Sequence, residues 1–178
     1  MKALLIIDMQ GAILDRIEAG LECVNPQAPD RISALAAHYR HEGWPVLHVR
    51  HSDPDPRSPF HESAAGYRPM ACERAEAGEA IFVKRTSSAF ASTDLAEHLQ
   101  EQGITDLAVT GAVAGFCVNS TVRAGSDLGF DMTVIEDAVI GFELPGADLT
   151  ARAIFDVTMA LLKQDFAKVV TAEMLLSS

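Results

Sequence analysis

Three residues of complementary chemistry stand just beyond short apolar runs. Asp8 follows "ALLII" (Ala3–Ile7), Lys84 follows "AIFV" (Ala80–Val83), and Cys117 lies in "TGAVAGFCVNST" (110–121), past "DLAVT" (Asp106–Thr110). A carboxylate within reach of a thiol can take its proton, and the thiolate can then attack a carbonyl. An ammonium beside the pair favours the thiolate and depresses the carboxylate's pKa. The residues after Cys117, "VNSTVRAGSDLG", read as a helix whose first N–H groups face an incoming anion. Nucleophile, base, counter-charge and oxyanion donors together make a set for acyl transfer. Singly, each has a plainer reading. An Asp after a strand caps a helix, a Lys is a solvated charge, and a free Cys is a small buried hydrophobe.

What joins them is the pattern of elements. Continuous apolar runs also occur at "PVLHV" (Pro45–Val49), "DMTVI" (Asp131–Ile135) and "KVV" (Lys168–Val170), and most suggest strands buried on both faces. Helical patterns lie between them. "DRISALAAHYRHEG" ends at Gly43, "STDLAEHLQEQG" opens on Ser92 or Thr93 and ends at Gly103, and "GADLTARAIFDVTMALLKQ" precedes the last run. This alternation predicts an α/β fold: one Rossmann-like domain over residues 1–178, with a six-stranded, mostly parallel sheet and helices on both faces. In such sheets ligands bind outside the carboxyl ends of the strands, where Asp8, Lys84 and the turn before Cys117 would meet. The segment 52–78, with prolines at 54, 56, 59 and 69, breaks the rhythm; a loop that long in a compact domain suggests a functional one.

Composition narrows the partners. The chain has 178 residues and a formal net charge of -11, from 14 Lys+Arg against 25 Asp+Glu. That balance leaves little for a basic nucleic-acid patch and disfavours anionic membranes. Cys23, Cys72 and Cys117 form no C-x-x-C pair, and so sparse a set suits free thiols in a reducing compartment. The apolar run before Asp8 is too short for a signal peptide or a membrane span. The expectation is a cytoplasmic protein.

Three separated motifs, "LLIIDMQ", "VKRTSSAFASTDLAEHL" and "VTGAVAGFCVNSTVRAGSDLGFDMTVIEDAV", make the chain resemble the isochorismatase-like cysteine hydrolases, which include nicotinamidases and N-carbamoylsarcosine amidase. The resemblance implies Asp8, Lys84 and Cys117 as a catalytic triad. It also implies a cis peptide at Ala112–Val113, with the N–H groups of Val113 and Cys117 as an oxyanion hole. The implied activity is hydrolysis of a small amide or carbamoyl C–N bond through a Cys thioester. The resemblance further suggests a homo-oligomer, dimer or tetramer.

Some positions depart from the family pattern. Ala114 and Gly115 replace a polar pair common before the residue preceding the cysteine, and "GAIL" follows the Asp-x-Gln motif where many relatives have Phe. Where nicotinamidases hold a metal through Asp-x-His, this chain reads "RHSDPDP", with His51 and Asp53 reversed and His61 as the other nearby ligand. No metal and no cofactor is expected. Candidate pocket residues are Gln10, His51, Ser88, Phe90 and Phe116. Gln10 either orients substrate or caps the first loop, Phe90 is pocket wall or core, and His51 lines the loop or the pocket. Phe116 precedes the thiol and should pack under the helix.

Four rival readings stand beside this one. A haloacid dehalogenase-type phosphatase wants a second Asp where Gln10 stands. A nucleotide-binding module wants a glycine-rich phosphate loop that the chain lacks. A vinyl ether hydrolase of the isochorismatase type, or a non-catalytic binding protein on the same fold, needs no thiol.

Overall fold

In the computed structural model, which describes residues 1–177, the first apolar run is the centre of the sheet. β1 (Lys2–Ile7) pairs in parallel with β5 (Asp106–Ala112) on one side and with β3 (Val46–His51) on the other. β3 pairs onward with the edge strand β4 (Ile81–Lys84), and β5 with β6 (Asp131–Phe142). Ala3 to Ile7 are completely buried because both faces of β1 are covered. Leu5 and Ile7 join one apolar cluster, which includes Leu95 and Leu99 of α3 (Leu95–Glu101), Val122 of α4 (Asn119–Asp127) and Phe155 of α5 (Ala151–Asp165). Leu4 and Ile6 join the other, with Ile13 of α1 (Gly11–Glu18), Ile32 and Leu35 of α2 (Ala28–His41), and Ala172 of α6 (Ala172–Leu176). No helix among the described residues is long and apolar enough to cross a membrane.

The sheet has seven strands, one more than the sequence pattern predicts. The extra strand, β2 (Cys23–Val24), pairs antiparallel with the end of β6 through Cys23–Phe142 and Val24–Gly141. It exists because β6 does not stop at Ile135 but runs on to Phe142, with a register shift against β5 between Val109 and Gly111. The Glu136–Asp137 pair reads as a strand end, yet the structure satisfies it in place. Asp137 pairs with Arg31 at 2.9 Å and accepts the Ala172 N–H, while Asn25 Nδ2 donates to the carbonyls of Glu136 and Val139 at 2.8 Å each. β7 (Lys168–Val170) pairs with the first half of β6.

The long loop is tied down. Gly11 N–H donates to the Arg68 carbonyl and Met70 N–H to the Met9 carbonyl, so its second half follows the start of α1. Behind it, completely buried Glu73 accepts from Arg50 Nε at 2.9 and 3.1 Å, and buried His48 pairs with Glu79 at 2.9 Å. Burial works to raise the Glu79 carboxyl, but its bonds from Arg40, the Glu76 N–H and His48 prevail and bring it down to about 2.

All the parallel strands end at one edge, and Gly111 controls how closely two of them approach there. Its φ is 117°, and a Cβ at this position would overlap the Ile7 backbone, its register partner in β1. Gly111→Ala is therefore expected to lose about 3 kcal/mol or more of stability. Gly103→Ala, at φ 63° in open space, should lose only about 1 kcal/mol. Urea unfolding of the two variants checks the contrast; equal losses would contradict it.

Candidate active site

Alternation along β4 decides where its terminal lysine goes. Phe82 and Lys84 point inward while Ile81 and Val83 are exposed, which leaves Lys84 completely buried. A buried ammonium needs its N–H groups bonded and its charge balanced. Lys84 Nζ lies 2.8 Å from Asp8 Oδ2, 3.1 Å from the Thr86 carbonyl, 3.3 Å from Cys117 Sγ and 3.3 Å from His51 Nδ1. The three residues at separate strand ends thus converge on one point.

Asp8 reaches that point because the chain leaves β1 through a left-handed residue, Asp8 itself, at φ 53°. Its N–H donates to the Val49 carbonyl and its own carbonyl accepts from Gln10 N–H, both at 2.8 Å. A non-glycine residue in this region is held there by its surroundings, and such residues concentrate at functional sites. Cys117 arrives by a different route. The Ala112–Val113 peptide is cis, and a wide turn over Ala114–Val118, in which Val118 N–H reaches back to the Val113 carbonyl, leads into α4. The small residues of this turn have a packing reason. A side chain on Gly115 would meet Ile154 Cγ2 of α5 at 3.3 Å, and Ala114 is completely buried. The positions where relatives often carry a polar pair are here filled by contact with α5.

Burial raises the Asp8 carboxyl above its ordinary value, against the opposing pull of Lys84. Its second oxygen, Oδ1, is buried without a hydrogen-bond partner. The Cys117 thiol is pushed up to about 12, by burial first and then by the Asp8 charge, with Lys84 acting in the opposite sense. This reverses the sequence expectation of a thiolate stabilised by a nearby cation and a helix start. Desolvation and the neighbouring carboxylate outweigh the cation, which favours the protonated thiol.

Gln10 is not a pocket residue. It is completely buried, and its amide pins the end of β3: Nε2 donates to the carbonyls of His51 (3.1 Å) and Tyr67 (2.9 Å), and Oε1 accepts the His51 N–H at 2.8 Å. Ser88 is also used elsewhere, its Oγ accepting the Phe90 N–H at 3.2 Å in a short turn. Phe90 stacks on Phe130 with centroids 5.6 Å apart and packs against α4. These three expected pocket positions are structural. His51 and Phe116 do line the pocket, and Phe116 is 51% exposed at its wall rather than packed under the helix.

The pocket is a cleft of about 550 Å³ with Asp8, His51, Val113 and Cys117 among its lining. Its walls are largely apolar: Ile13, Leu21, Phe60, Phe142, Leu144 and Pro145, with Arg16 and Glu143 as charged members. Sequence reasoning missed most of these. The "GFELPG" segment (141–146), where β6 ends and the next connection begins, could have been found had β6 been read to its full length. The Thr86 carbonyl on Lys84 carries no side-chain signal at all. Among the described residues, no three His, Cys, Asp or Glu side chains gather as a metal-binding group. His51 Nδ1 faces Lys84, Asp53 accepts the Asp55 N–H at 2.9 Å, and His61 pairs with Ser63 at 2.8 Å.

The direction of the Cys117 shift gives a test of this geometry. Asp8→Asn removes the charge that raises the thiol and leaves Lys84 beside the sulfur. Alkylation of Cys117 by iodoacetamide at pH 8, followed by peptide mass spectrometry, should become about tenfold faster or more, one unit of thiol pKa being a tenfold change in thiolate. An unchanged rate would show that Asp8 does not act on the thiol, and a slower one that its action as a base outweighs the effect of its charge.

The isochorismatase domain model matches residues 2–174. The isochorismatase family protein YrdC of Bacillus subtilis is 32% identical over 179 residues, which cover 99% of this chain and 95% of that protein. Streptothricin hydrolase of Streptomyces noursei is 30% identical over 146 residues, 82% of this chain and 52% of its own length. A crystal structure of an isochorismatase-family protein from Chromobacterium violaceum shares the fold with a TM-score of 0.93 and 28% identity, covering 99% of this chain and 92% of that one. The match runs through all three strand ends that carry Asp8, Lys84 and Cys117, and the chain belongs to the isochorismatase family of hydrolases.

Proposed function

We propose that the protein is a cysteine amidohydrolase acting on a small amide or carbamoyl compound. The observation that carries this reading is the buried ammonium of Lys84, 2.8 Å from the Asp8 carboxylate and 3.3 Å from the Cys117 sulfur at the pocket. In this mechanism Asp8 takes the Cys117 proton as the sulfur attacks the amide carbonyl, so a C–S bond forms. The N–H groups of Val113 and Cys117 are read as the donors to the oxyanion. Asp8 then passes the proton to the nitrogen as the C–N bond breaks, and the amine leaves. Water attacks the thioester, its proton returns to the sulfur through Asp8, and the acid is released. Lys84 keeps the negative charge stabilised wherever it resides, on Asp8 or on sulfur.

The name of streptothricin hydrolase agrees with hydrolysis in a relative, and the apolar walls here favour a substrate with a compact apolar body. The same proposal includes the self-association and cytoplasmic setting expected from the sequence.

Ammonia release from a panel of primary amides, carbamoyl compounds and ureido acids tests the activity. At least one class should be turned over, with Cys117→Ala inactive and Lys84→Met reduced on the order of 10²–10⁴-fold. Lys84→Met near the parent rate would remove Lys84 from the reaction. Cleavage of a vinyl ether that survives Cys117→Ala would instead favour the isochorismatase-type alternative.

The same assay tests independence from metal. A thiolate needs no Lewis acid to attack an amide, and His51, Asp53 and His61 already have partners inside the protein. Exhaustive dialysis against a chelator should leave the rate within about twofold of the untreated enzyme, the thiol and backbone donors sufficing. Loss of activity restored by added zinc would overturn this.

A further inference from the structure

An ammonium has three N–H groups, and Lys84 Nζ has four acceptors within hydrogen-bond distance. The two shorter contacts, to Asp8 Oδ2 at 2.8 Å and the Thr86 carbonyl at 3.1 Å, hold two of them. The third lies between His51 Nδ1 and Cys117 Sγ, each at 3.3 Å. A protonated thiol is a weak acceptor and an imidazole nitrogen a good one, whereas a thiolate reverses that order.

We propose that His51 is a positioning residue that holds the third Lys84 N–H while Cys117 is a thiol and yields it as the sulfur ionises. The competition raises the barrier to thiolate formation in the empty site and releases the hydrogen bond when Asp8 takes the proton. It rests on the reading of Cys117 as nucleophile and goes beyond it by giving the site a resting state.

The surroundings support this role. Lys84 can only donate, so His51 Nδ1 must be the unprotonated nitrogen and the ring proton must sit on Nε2. The groups facing the ring are Lys84 on β4, Asp8 at the end of β1, Asp53 in the loop that follows and the Phe60 ring at 5.3 Å. Burial and Lys84 hold the imidazole below its ordinary pKa, against Asp8 and Asp53, which favours the neutral ring at neutral pH. Gln10 fixes the backbone of His51 on both sides, so the ring cannot drift from the ammonium by movement of the strand end.

Two measurements that need no substrate test the inference. In a long-range 1H–15N spectrum of protein labelled at histidine, His51 at pH 7.5 should carry its proton on Nε2; a proton on Nδ1 would overturn the proposal. The second is the rate of Cys117 alkylation by iodoacetamide at pH 8.5. His51→Leu removes the competing acceptor and should react about tenfold faster than the parent, while His51→Asn, which keeps an acceptor near Nδ1, should stay within about twofold of it. Opened space beside the sulfur predicts the opposite order, since Leu fills more of it than Asn. His51→Leu reacting no faster than His51→Asn would therefore refute the competition. Failure to cleave any amide would sink the hydrolase reading and leave both measurements interpretable.

Discussion

The buried charge on Lys84 is the constraint to which the rest of the site answers. An ammonium with no exposed surface is tolerated only if a counter-charge and enough acceptors meet it, and breaking such a pair by removing one partner costs about 3–5 kcal/mol. Lys84 sits on an edge strand, so its partners cannot come from β4 itself. Asp8 comes from the end of the central strand, the Thr86 carbonyl from the turn that follows, and His51 from the strand between. The parallel sheet is what makes this possible. It brings the carboxyl ends of β1, β3, β4 and β5 to one edge, and the register aligns Ile7 with Gly111 and His51 with Lys84.

The parts legible in the sequence are those determined by local pattern. Apolar runs located the strands, and the residues just past them named Asp8, Lys84 and Cys117. What stayed hidden depends on contacts between distant segments. Gln10 reads as a polar residue at a pocket, but its amide is matched by the carbonyls of His51 and Tyr67, far along the chain. Phe90 belongs to the core because Phe130 lies flat against it. β6 continues through Glu136 and Asp137 because Arg31 pairs with the Asp137 carboxylate and Asn25 bonds the backbone carbonyls of Glu136 and Val139. The thiol shows the limit most clearly. Helix start and nearby cation both argue for a low pKa, and neither motif reveals how much water the folded chain removes from the sulfur or how near Asp8 comes.

Preorganisation extends outward from the ammonium in a connected order. Gln10 locks His51 to the sheet and to the 52–78 loop, and the loop is fastened in turn by Arg68, Met70 and the buried Glu73–Arg50 pair. The proline-rich segment is therefore no loose cover. It brings Phe60 to the pocket wall and presses that ring edgewise on His51. Apart from Asp8 Oδ1, the polar atoms at the cleft are thus already held by the protein, so a bound molecule would demand little reorganisation of them.

Rigidity is not evenly distributed, and this separates chemistry from recognition. Asp8, Lys84 and the turn before Cys117 sit at strand ends that cannot shift without unpacking a core buried on both faces. The outer walls are different. Leu144 and Pro145 belong to the connection between β6 and α5, Arg16 to the outer side of α1, and Phe116 is half exposed beside Cys117. Changes at those positions alter the shape and charge of the cleft while leaving the ammonium and its acceptors in place. The departures at Ala114 and Gly115 follow the same logic from the inside. They concern how α5 packs against the turn, and they leave the sulfur where Lys84 can reach it. A family built this way can hold one set of strand-end residues constant and vary its substrates through the surrounding loops, because the two depend on different contacts.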